Sequence, residues 1–280
     1  MKNQKFLNLR VAHHRILLWL TAFIITISSA VYQRLTGPTY PVRGKVTVGA
    51  NIISFKLLRS EIVGKDAPII LNVPDTTISG YVQFRRYKSW DNWTKTSLKR
   101  GGDELVAYLP HQSPAGKLSY FIYLKNSSQK VSLTGDEPVI LRYKGAVPTA
   151  ILIPHVLLAF LAMLFSNRTA LEALDAKGNA HKYMLWTIGL FFIGGLILGP
   201  LVQKYAFGEF WTGIPFGHDL TDNKALLAML GWIWAWTKNR NGKNGRGWIL
   251  LAAVLMFIVY LIPHSFLGSE LDYTKVSQSP

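Results

Sequence analysis

Long runs of apolar residues alternate with polar segments along the chain. The first run begins after Arg15 and continues through 17 uncharged residues to Tyr32. Four further runs fill Pro148 to Ser166, Tyr183 to Val202, Ala225 to Thr237 and Trp248 to Ile262. A helix needs roughly 20 apolar residues to cross a bilayer, and these runs approach or reach that length. The pattern therefore predicts five transmembrane helices, of which the fourth is short.

The predicted membrane helices set the boundaries of the other segments. We expect a cytoplasmic N-terminus at 1–15, transmembrane helices at 16–35, 148–166, 183–203, 223–237 and 248–266, an extracytoplasmic domain at 36–147, an outer aromatic and Gly-rich loop at 204–222, a basic cytoplasmic loop at 238–247 and an outer tail at 267–280. The small residues Ser28, Ser29 and Ala30 leave open a cleaved signal peptide. The apolar core before them is longer than a usual signal core, which favours a retained helix.

Basic residues near the helix ends predict the orientation. The N-terminus carries Lys2, Lys5, Arg10 and Arg15, and the loop KNRNGKNGRG carries further basic residues, with no acid in either segment. Short segments rich in Lys and Arg stay on the cytoplasmic side. The sequence thus predicts a multi-pass protein of a bacterial-type inner (plasma) membrane, with its N-terminus cytoplasmic and residues 36–147 extracytoplasmic.

The charge is divided between the membrane part and the outer domain. The whole chain has a formal net charge of +16. Between Gly37 and Val147, 16 Lys and Arg stand against 8 Asp and Glu, which is half of that excess. A basic domain favours an anionic neighbour. We therefore expect membrane lipid, an anionic surface and a protein partner in a membrane complex, and no nucleic acid. The absence of cysteine excludes disulfides and thiolate chemistry.

The outer domain alternates between apolar and polar positions with the period of a β-strand. In KLSYFIYLKN, the residues Leu118, Tyr120, Ile122 and Leu124 share one face. Further strand candidates include ISFKLLRS, TKTSLKR and VILRYK, separated by turn signals such as RGGD and TGDEP. About seven to nine short strands in a domain of this size predict an antiparallel β-sandwich, inserted between the first and second membrane helices.

The outer domain also resembles a known family. The segment ELVAYLPHQSPAGKLSYFIYL is similar to the later strands of a fibronectin type III or immunoglobulin-like domain, in which a strand ending in Leu-Pro leads through a turn into a Tyr-rich strand. The resemblance covers the outer domain only. It implies a binding or spacing module more readily than an enzyme.

The segment KSWDNWTK within this domain holds two tryptophans, Trp90 and Trp93. One interpretation makes them a stacking platform for a sugar or a lipid. The favoured interpretation is that one tryptophan fills the core of the sandwich while the other lies at a turn or near the membrane surface.

The tetrapeptide LIPH occurs twice, ending at His155 and at His264. The predicted topology places both histidines in the outer half of the bilayer. The short fourth run has polar residues before it, and ionisable groups at membrane depth usually face the interior of a bundle. We therefore predict a polar pocket near the outer face, formed by His155, His218, Asp219, Asp222, Asn223, Lys224 and His264, with Glu209, Trp211 and Glu270 nearby.

Three interpretations of this pocket stay open. In the structural one, Asp219 or Thr221 caps the fourth helix and His155 bonds across helices. In the second, His155, His218, Asp219, Asp222 and His264 bind a divalent metal. In the third, His155 and His264 hold a b-type haem. The glycines of GLFFIGGLILGP have a simpler interpretation, because Gly195 and Gly199 form a spacing that allows close helix packing.

The chain has no recognisable catalytic motif. Walker loops, dinucleotide-binding glycine motifs, nucleophile elbows and zinc-peptidase motifs are all absent from the sequence. The sequence therefore favours a non-enzymatic protein: an inner-membrane accessory protein or complex subunit that presents a β-sandwich to an envelope partner. The alternative is a metal- or haem-binding protein that acts at the outer face of the membrane.

Overall fold

The computed structural model describes residues 2–175, 178–240, 245–263 and 270–275. The chain divides into two compact units. The helical unit takes its residues from Met1–Gly37, Val147–Tyr205 and Glu209–Gly268. The β unit takes its residues from Pro38–Ala146, Ala206–Gly208 and Ser269–Pro280. The polar stretch between the first two apolar runs therefore forms most of the β unit.

The helices follow the apolar runs. They are α1 (Lys2–Thr36), α2 (Thr149–Leu174), α3 (Ala180–Phe191), α4 (Gly199–Phe207), α5 (Leu220–Asn239) and α6 (Arg246–Leu261). A π-helical segment, Phe192–Leu198, joins α3 to α4 without a break. Polar residues extend several helices beyond the apolar runs, because a helix can continue into sequence that the hydropathy pattern alone assigns to loops.

Among the residues that the structure describes, three helices are long and apolar enough to cross a membrane, which indicates a membrane protein. They are His13–Thr36, Thr149–Leu174 and Ala180–Phe207. The last of these combines α3, the π-helical segment and α4. The helix α6 is apolar but shorter, with 16 residues.

Small residues let the helices approach closely. A Cβ atom added to Gly194 would lie 2.8 Å from the Cβ atom of Leu158 on α2. Of the two glycines predicted to allow close packing, Gly199 lies against α2, where its added Cβ atom would be 3.7 Å from the His155 ring, whereas Gly195 faces Phe191 of its own helix. The closest glycine-mediated approach of α2 to the π-helical segment is therefore at Gly194. The remaining core is formed around the fully buried Trp232, whose indole N–H points to the Met256 sulfur at 3.0 Å.

The β unit contains three sheets among the described residues. The strands are β1 (Val42–Val48), β2 (Asn51–Leu57), β3 (Ser60–Ile62), β4 (Ala67–Asn72), β5 (Ser79–Arg86), β6 (Thr94–Ser97), β7 (Lys99–Gly101), β8 (Glu104–Leu109), β9 (Lys117–Lys125), β10 (Lys130–Ser132) and β11 (Val139–Lys144). The largest sheet has the order β3-β11-β9-β5-β6, with β10 also paired to β9. The smaller sheets are β1-β2 and β4-β8-β7. Pairing is antiparallel except between β3 and β11.

One hydrophobic core joins the three sheets. The shared face predicted for β9 is confirmed, and it points to the core, because Leu118, Tyr120, Ile122 and Leu124 are all buried. The buried Tyr120 hydroxyl donates to the Leu58 carbonyl at 2.7 Å. Burial raises the pKa of this phenol, so it stays a neutral hydrogen-bond donor.

Two segments that the sequence predicted as single strands divide between sheets. ISFKLLRS spans the end of β2 and the start of β3, and TKTSLKR spans β6 and β7. In the second segment, the buried Leu98 donates its backbone N–H to the Gly80 carbonyl at 2.9 Å. This residue anchors the corner between the two sheets.

Candidate functional site

The loop between α4 and α5 folds back onto the first turn of α5 and forms a polar cluster with α4. We call Gln203, Thr212, Asp219 and Asp222 the Thr212 cluster. Helix α5 begins at Leu220 because the Asp219 side chain accepts a hydrogen bond from the Thr221 N–H at 2.7 Å. This cap places Asp222 in the first turn, where it points back toward the loop.

Asp222 is the centre of the Thr212 cluster and is only 6% exposed. Its Oδ2 atom accepts from the Thr212 backbone N–H at 2.6 Å and from the Gln203 side-chain amide at 3.1 Å. The Thr212 hydroxyl lies between the two carboxylates, 3.3 Å from Asp222 and 3.2 Å from Asp219. Neutral donors therefore surround the buried carboxylate. A carboxylate that is removed from water needs such hydrogen-bond partners within the protein.

The loop beside this cluster is closely packed. Asn223 accepts from the Ile214 N–H at 2.7 Å, and the Trp211 indole donates to the Ile214 carbonyl at 3.1 Å. A Cβ atom on the buried Gly213 would lie 2.7 Å from both Asn223 Oδ1 and Asp222 Cβ. Glycine is required here because the loop backbone meets the helix at this point.

Lys224 lies outside the Thr212 cluster, although the sequence predicted it in the same pocket. It is 6% exposed and donates to the Ile262 carbonyl at 2.6 Å, just beyond the end of α6. Carbonyls at a helix C-terminus have no partner within the helix, and a cation there satisfies one of them. Lys224 therefore joins the start of α5 to the end of α6.

His155 bonds across helices. Its ring Nδ1 lies 2.8 Å from the Gly194 carbonyl in the π-helical segment. This contact matches the structural interpretation of the predicted pocket. His264, the second LIPH histidine, lies outside the described residues, so its pairing with His155 stays a prediction.

The remaining predicted pocket residues do not join the cluster. Glu209 and His218 are exposed. Glu270 belongs to the β unit, where it pairs with Lys88 and Lys117. Burial raises the pKa of Glu270, but the hydrogen bonds from the two lysines lower it more, so its net pKa lies below the usual value.

Among the residues that the structure describes, no group of three or more His, Cys, Asp or Glu could hold a metal ion. Within the Thr212 cluster, three hydrogen-bond donors point to the Oδ2 atom of Asp222. The donor set fits a hydrogen-bonded carboxylate better than a metal ligand. Ligation of a metal or a haem by the predicted histidines and aspartates therefore stays a prediction.

A second polar region, which the sequence did not predict, lies near the end of α2. Arg168 is fully buried, pairs with Glu172 one turn away and lies over the Tyr183 ring at 4.5 Å. Glu172 in turn accepts from the Asn179 N–H at 2.9 Å. Glu172 therefore links the last turn of α2 to Asn179, the residue before α3.

Hydrogen bonds between helices continue beside Arg168. Asn167 donates to Thr26 of α1 at 2.9 Å, and the hydroxyls of Thr169 and Thr187 lie 3.2 Å apart. The polar segment SNRTALE, directly after the second apolar run, is the part of the sequence that could have identified this region. Arg168 and Glu172 have the spacing of neighbours on one helix face, but the predicted second span ended at residue 166.

The outer surface of the largest sheet carries aromatic rings and cations. We call Tyr81, Trp93, Phe121, Tyr123, Arg85, Lys95 and Lys130 the aromatic–cationic face. Tyr81 and Tyr123 lie opposite each other on β5 and β9, and their rings stack at 5.1 Å. The rings of Phe121 and Trp93 continue the row, with centroids 5.3 Å apart.

Each cation of this face lies over a ring. Arg85 is 4.6 Å from the Trp93 centroid, and Lys130 is 4.3 Å from that of Tyr123. Lys95 lies 5.6 Å from the Tyr81 centroid. A hydrogen bond with Tyr81 raises the pKa of Lys130, which keeps its ammonium charged.

Neither tryptophan fills the core of the β unit. Trp90 is 86% exposed, and Trp93 is half-buried beneath Arg85. The favoured interpretation from sequence, in which one of them is a core residue, is therefore wrong. The core has no place for them because Tyr120, Tyr143 and aliphatic residues fill it.

Comparison of the chain with protein-family models and with curated proteins gives no match.

Proposed function

We propose that the protein is a non-enzymatic subunit of a membrane complex that presents its β unit to an acidic protein partner in a bacterial cell envelope. In this proposal, α5 and α6 are the fourth and fifth transmembrane helices, and the β unit is an immunoglobulin-like sandwich on the outer side of the inner membrane. The basic N-terminus and the loop KNRNGKNGRG support this orientation.

The aromatic–cationic face carries the proposal. The rings of this face are half-buried, so each still presents part of its surface to a partner. Rigid aromatic side chains supply contact area at a low cost in conformational entropy, and aromatic and Arg residues are enriched in the centres of protein interfaces. The cations are held over the rings, so they are already positioned for acidic groups. A partner with carboxylates would therefore find both packing and charge complementarity on one surface.

The experiment that tests this proposal is site-specific photo-crosslinking in cells. Gln83 lies between Tyr81 and Arg85 on the outward side of β5 and is half-buried, so a benzophenone side chain at this position reaches the face. We expect one abundant cross-linked protein, identified by mass spectrometry, with an acidic surface domain. The cross-link should weaken as the salt concentration in washed membranes rises.

A charge-matched pair of triple variants provides the control. Arg85→Gln, Lys95→Gln and Lys130→Gln together remove the cations of the face. Lys45→Gln, Lys56→Gln and Lys99→Gln remove the same charge from exposed positions on other strands. Loss of the cross-link only in the first variant supports the proposal. An unchanged cross-link in the first variant, or equal loss in both, contradicts it.

A further inference from the structure

A groove with a volume of about 510 Å³ lies along α3. Its lining residues are Asn179, His181, Lys182, Leu185, Trp186 and Gly189. The first three are polar or basic and the last three are apolar or lack a side chain. The groove is therefore polar at the start of the helix and apolar farther along it.

The polar end of this groove lies at the start of a helix that could cross a membrane. Ala180 begins the third helix that is long and apolar enough to cross a membrane. Lys182 is thus near one end of that helix, and Gly189 lies about 10 Å farther along the axis. Basic residues and tryptophan at such positions are typical of the membrane interface.

Gly189 keeps the apolar part of the groove open. No atom lies within 4 Å of a Cβ atom placed on this glycine, so it does not serve close helix packing. Trp186 and Leu185 beside it are 53% and 46% exposed. An apolar chain can therefore lie against these residues along the helix.

The polar part of the groove is complementary to an anion. Neither His181 nor Lys182 takes part in the ion pairs formed among the described residues. An anionic headgroup would meet Lys182 and His181, with Asn179 as a further hydrogen-bonding group. An acidic peptide would match this charge but would not match the apolar end of the groove.

We propose that this groove binds one anionic glycerophospholipid, with its phosphate at Lys182 and an acyl chain against Leu185, Trp186 and Gly189. The site is independent of the aromatic–cationic face. It would give the helical unit a preference for membranes rich in anionic lipid.

Native mass spectrometry of the full-length protein in neutral detergent tests this site. The probe is phosphatidylglycerol, compared with phosphatidylcholine of the same acyl chains. We expect one phosphatidylglycerol to bind more tightly than phosphatidylcholine. Lys182→Ala should weaken that binding about fivefold, which is the usual effect of one cation near an anionic headgroup. Gly189→Leu should weaken it by filling the groove, because the glycine has open space around it.

Two control variants match these changes. Lys238→Ala removes an exposed lysine that lies over Trp234 instead of in the groove, and Gly247→Leu adds a side chain at another open glycine. Both should bind phosphatidylglycerol like the unmodified protein. Equal binding of the two lipids, or equal affinity in the groove variants and their controls, overturns the proposal. Displacement of the lipid by millimolar inorganic phosphate also overturns it, because the site would then recognise a free anion.

Discussion

Asp222 in the helical unit and Glu270 in the β unit are carboxylates held in two different ways. A backbone N–H, a side-chain amide and a hydroxyl donate to Asp222. Two lysine ammonium groups donate to Glu270. Asp222 is buried, whereas 23% of the Glu270 side chain is accessible to solvent.

This difference shows how each unit stabilises a negative charge. In the apolar helical unit, fixed dipoles solvate the carboxylate, and their geometry depends on the folded loop. In the β unit, ionic side chains do so, and water and salt screen the part of them that is exposed. We therefore expect loss of Asp222 to cost more than loss of Glu270, and only Glu270 to respond to moderate changes in salt concentration.

The largest expected effect is that of Asp222→Ala. It leaves the Thr212 N–H and the Gln203 amide without their acceptor, which should lower the free energy of unfolding by about 3 kcal/mol. Denaturant titration of the full chain in detergent measures the loss. Asp222→Asn, which keeps one acceptor oxygen, should lose less. Equal stability of Asp222→Ala and the unmodified protein would contradict the role of this cluster.

Gly213→Ala tests whether the loop packing supports Asp222. The new Cβ atom would lie within 2.7 Å of Asn223 Oδ1 and Asp222 Cβ, so the loop must shift. We expect a loss of about 2 kcal/mol in the same titration. Gly189→Ala is the control, because its Cβ atom meets nothing within 4 Å. A similar, small effect of both substitutions would show that the loop is loosely packed.

His155→Ala separates the structural interpretation from the cofactor alternative. Loss of the hydrogen bond to the Gly194 carbonyl should lower stability by about 1 kcal/mol, as is typical of polar contacts between membrane helices. Absorption spectra and elemental analysis of the purified protein are measured in parallel. The exposed His218→Ala is the control. A Soret band or a stoichiometric metal that disappears in His155→Ala would establish the cofactor alternative.

Glu270→Gln should have a smaller effect at neutral pH, because partly exposed ion pairs contribute roughly 0.5–1 kcal/mol. The loss should shrink when the salt concentration is raised, whereas the effect of Asp222→Ala should stay constant. Denaturant titrations at low and high salt measure both. A salt-independent Glu270→Gln effect would remove the contrast between the two carboxylates.

The pH dependence of Glu270 has a defined sign. Its folded-state pKa is lowered, so its contribution is fully present above the unfolded-state value of about 4.3 and is lost as the pH falls through the lower folded value. The difference in stability between the unmodified protein and Glu270→Gln should therefore vanish between pH 5 and strongly acidic pH. A difference that grows on acidification would contradict this assignment.

The sequence predicted the parts of the fold that depend on repeated patterns. Alternation identified the buried face of β9, and apolar runs located the long helices. It missed Arg168 because a charged residue ends a hydropathy run even when the helix continues and aromatic rings cover the charge. It also missed the corner at Leu98, since a change of sheet leaves the local alternation intact.

Two parts of the candidate site agree with the structural interpretation from the sequence, the cap of α5 and the bond of His155 across helices. Of the two capping residues that the sequence offered, Asp219 and Thr221, the structure shows Asp219. The separation of Lys224 and Glu270 from the Thr212 cluster depends on distant partners, the Ile262 carbonyl and the lysines of the β unit. No spacing within the sequence encodes these partners.

The π-helical segment Phe192–Leu198 fixes the rotational phase of the helix that follows it. In an α-helix, adding or removing one residue turns everything downstream by about 100°. Deleting a single residue within this segment would therefore rotate α4 and carry Gln203 away from Asp222, although neither residue had changed. The number of residues in this segment therefore determines whether Gln203 reaches Asp222. Insertions or deletions there should be far less tolerated than substitutions that keep its length.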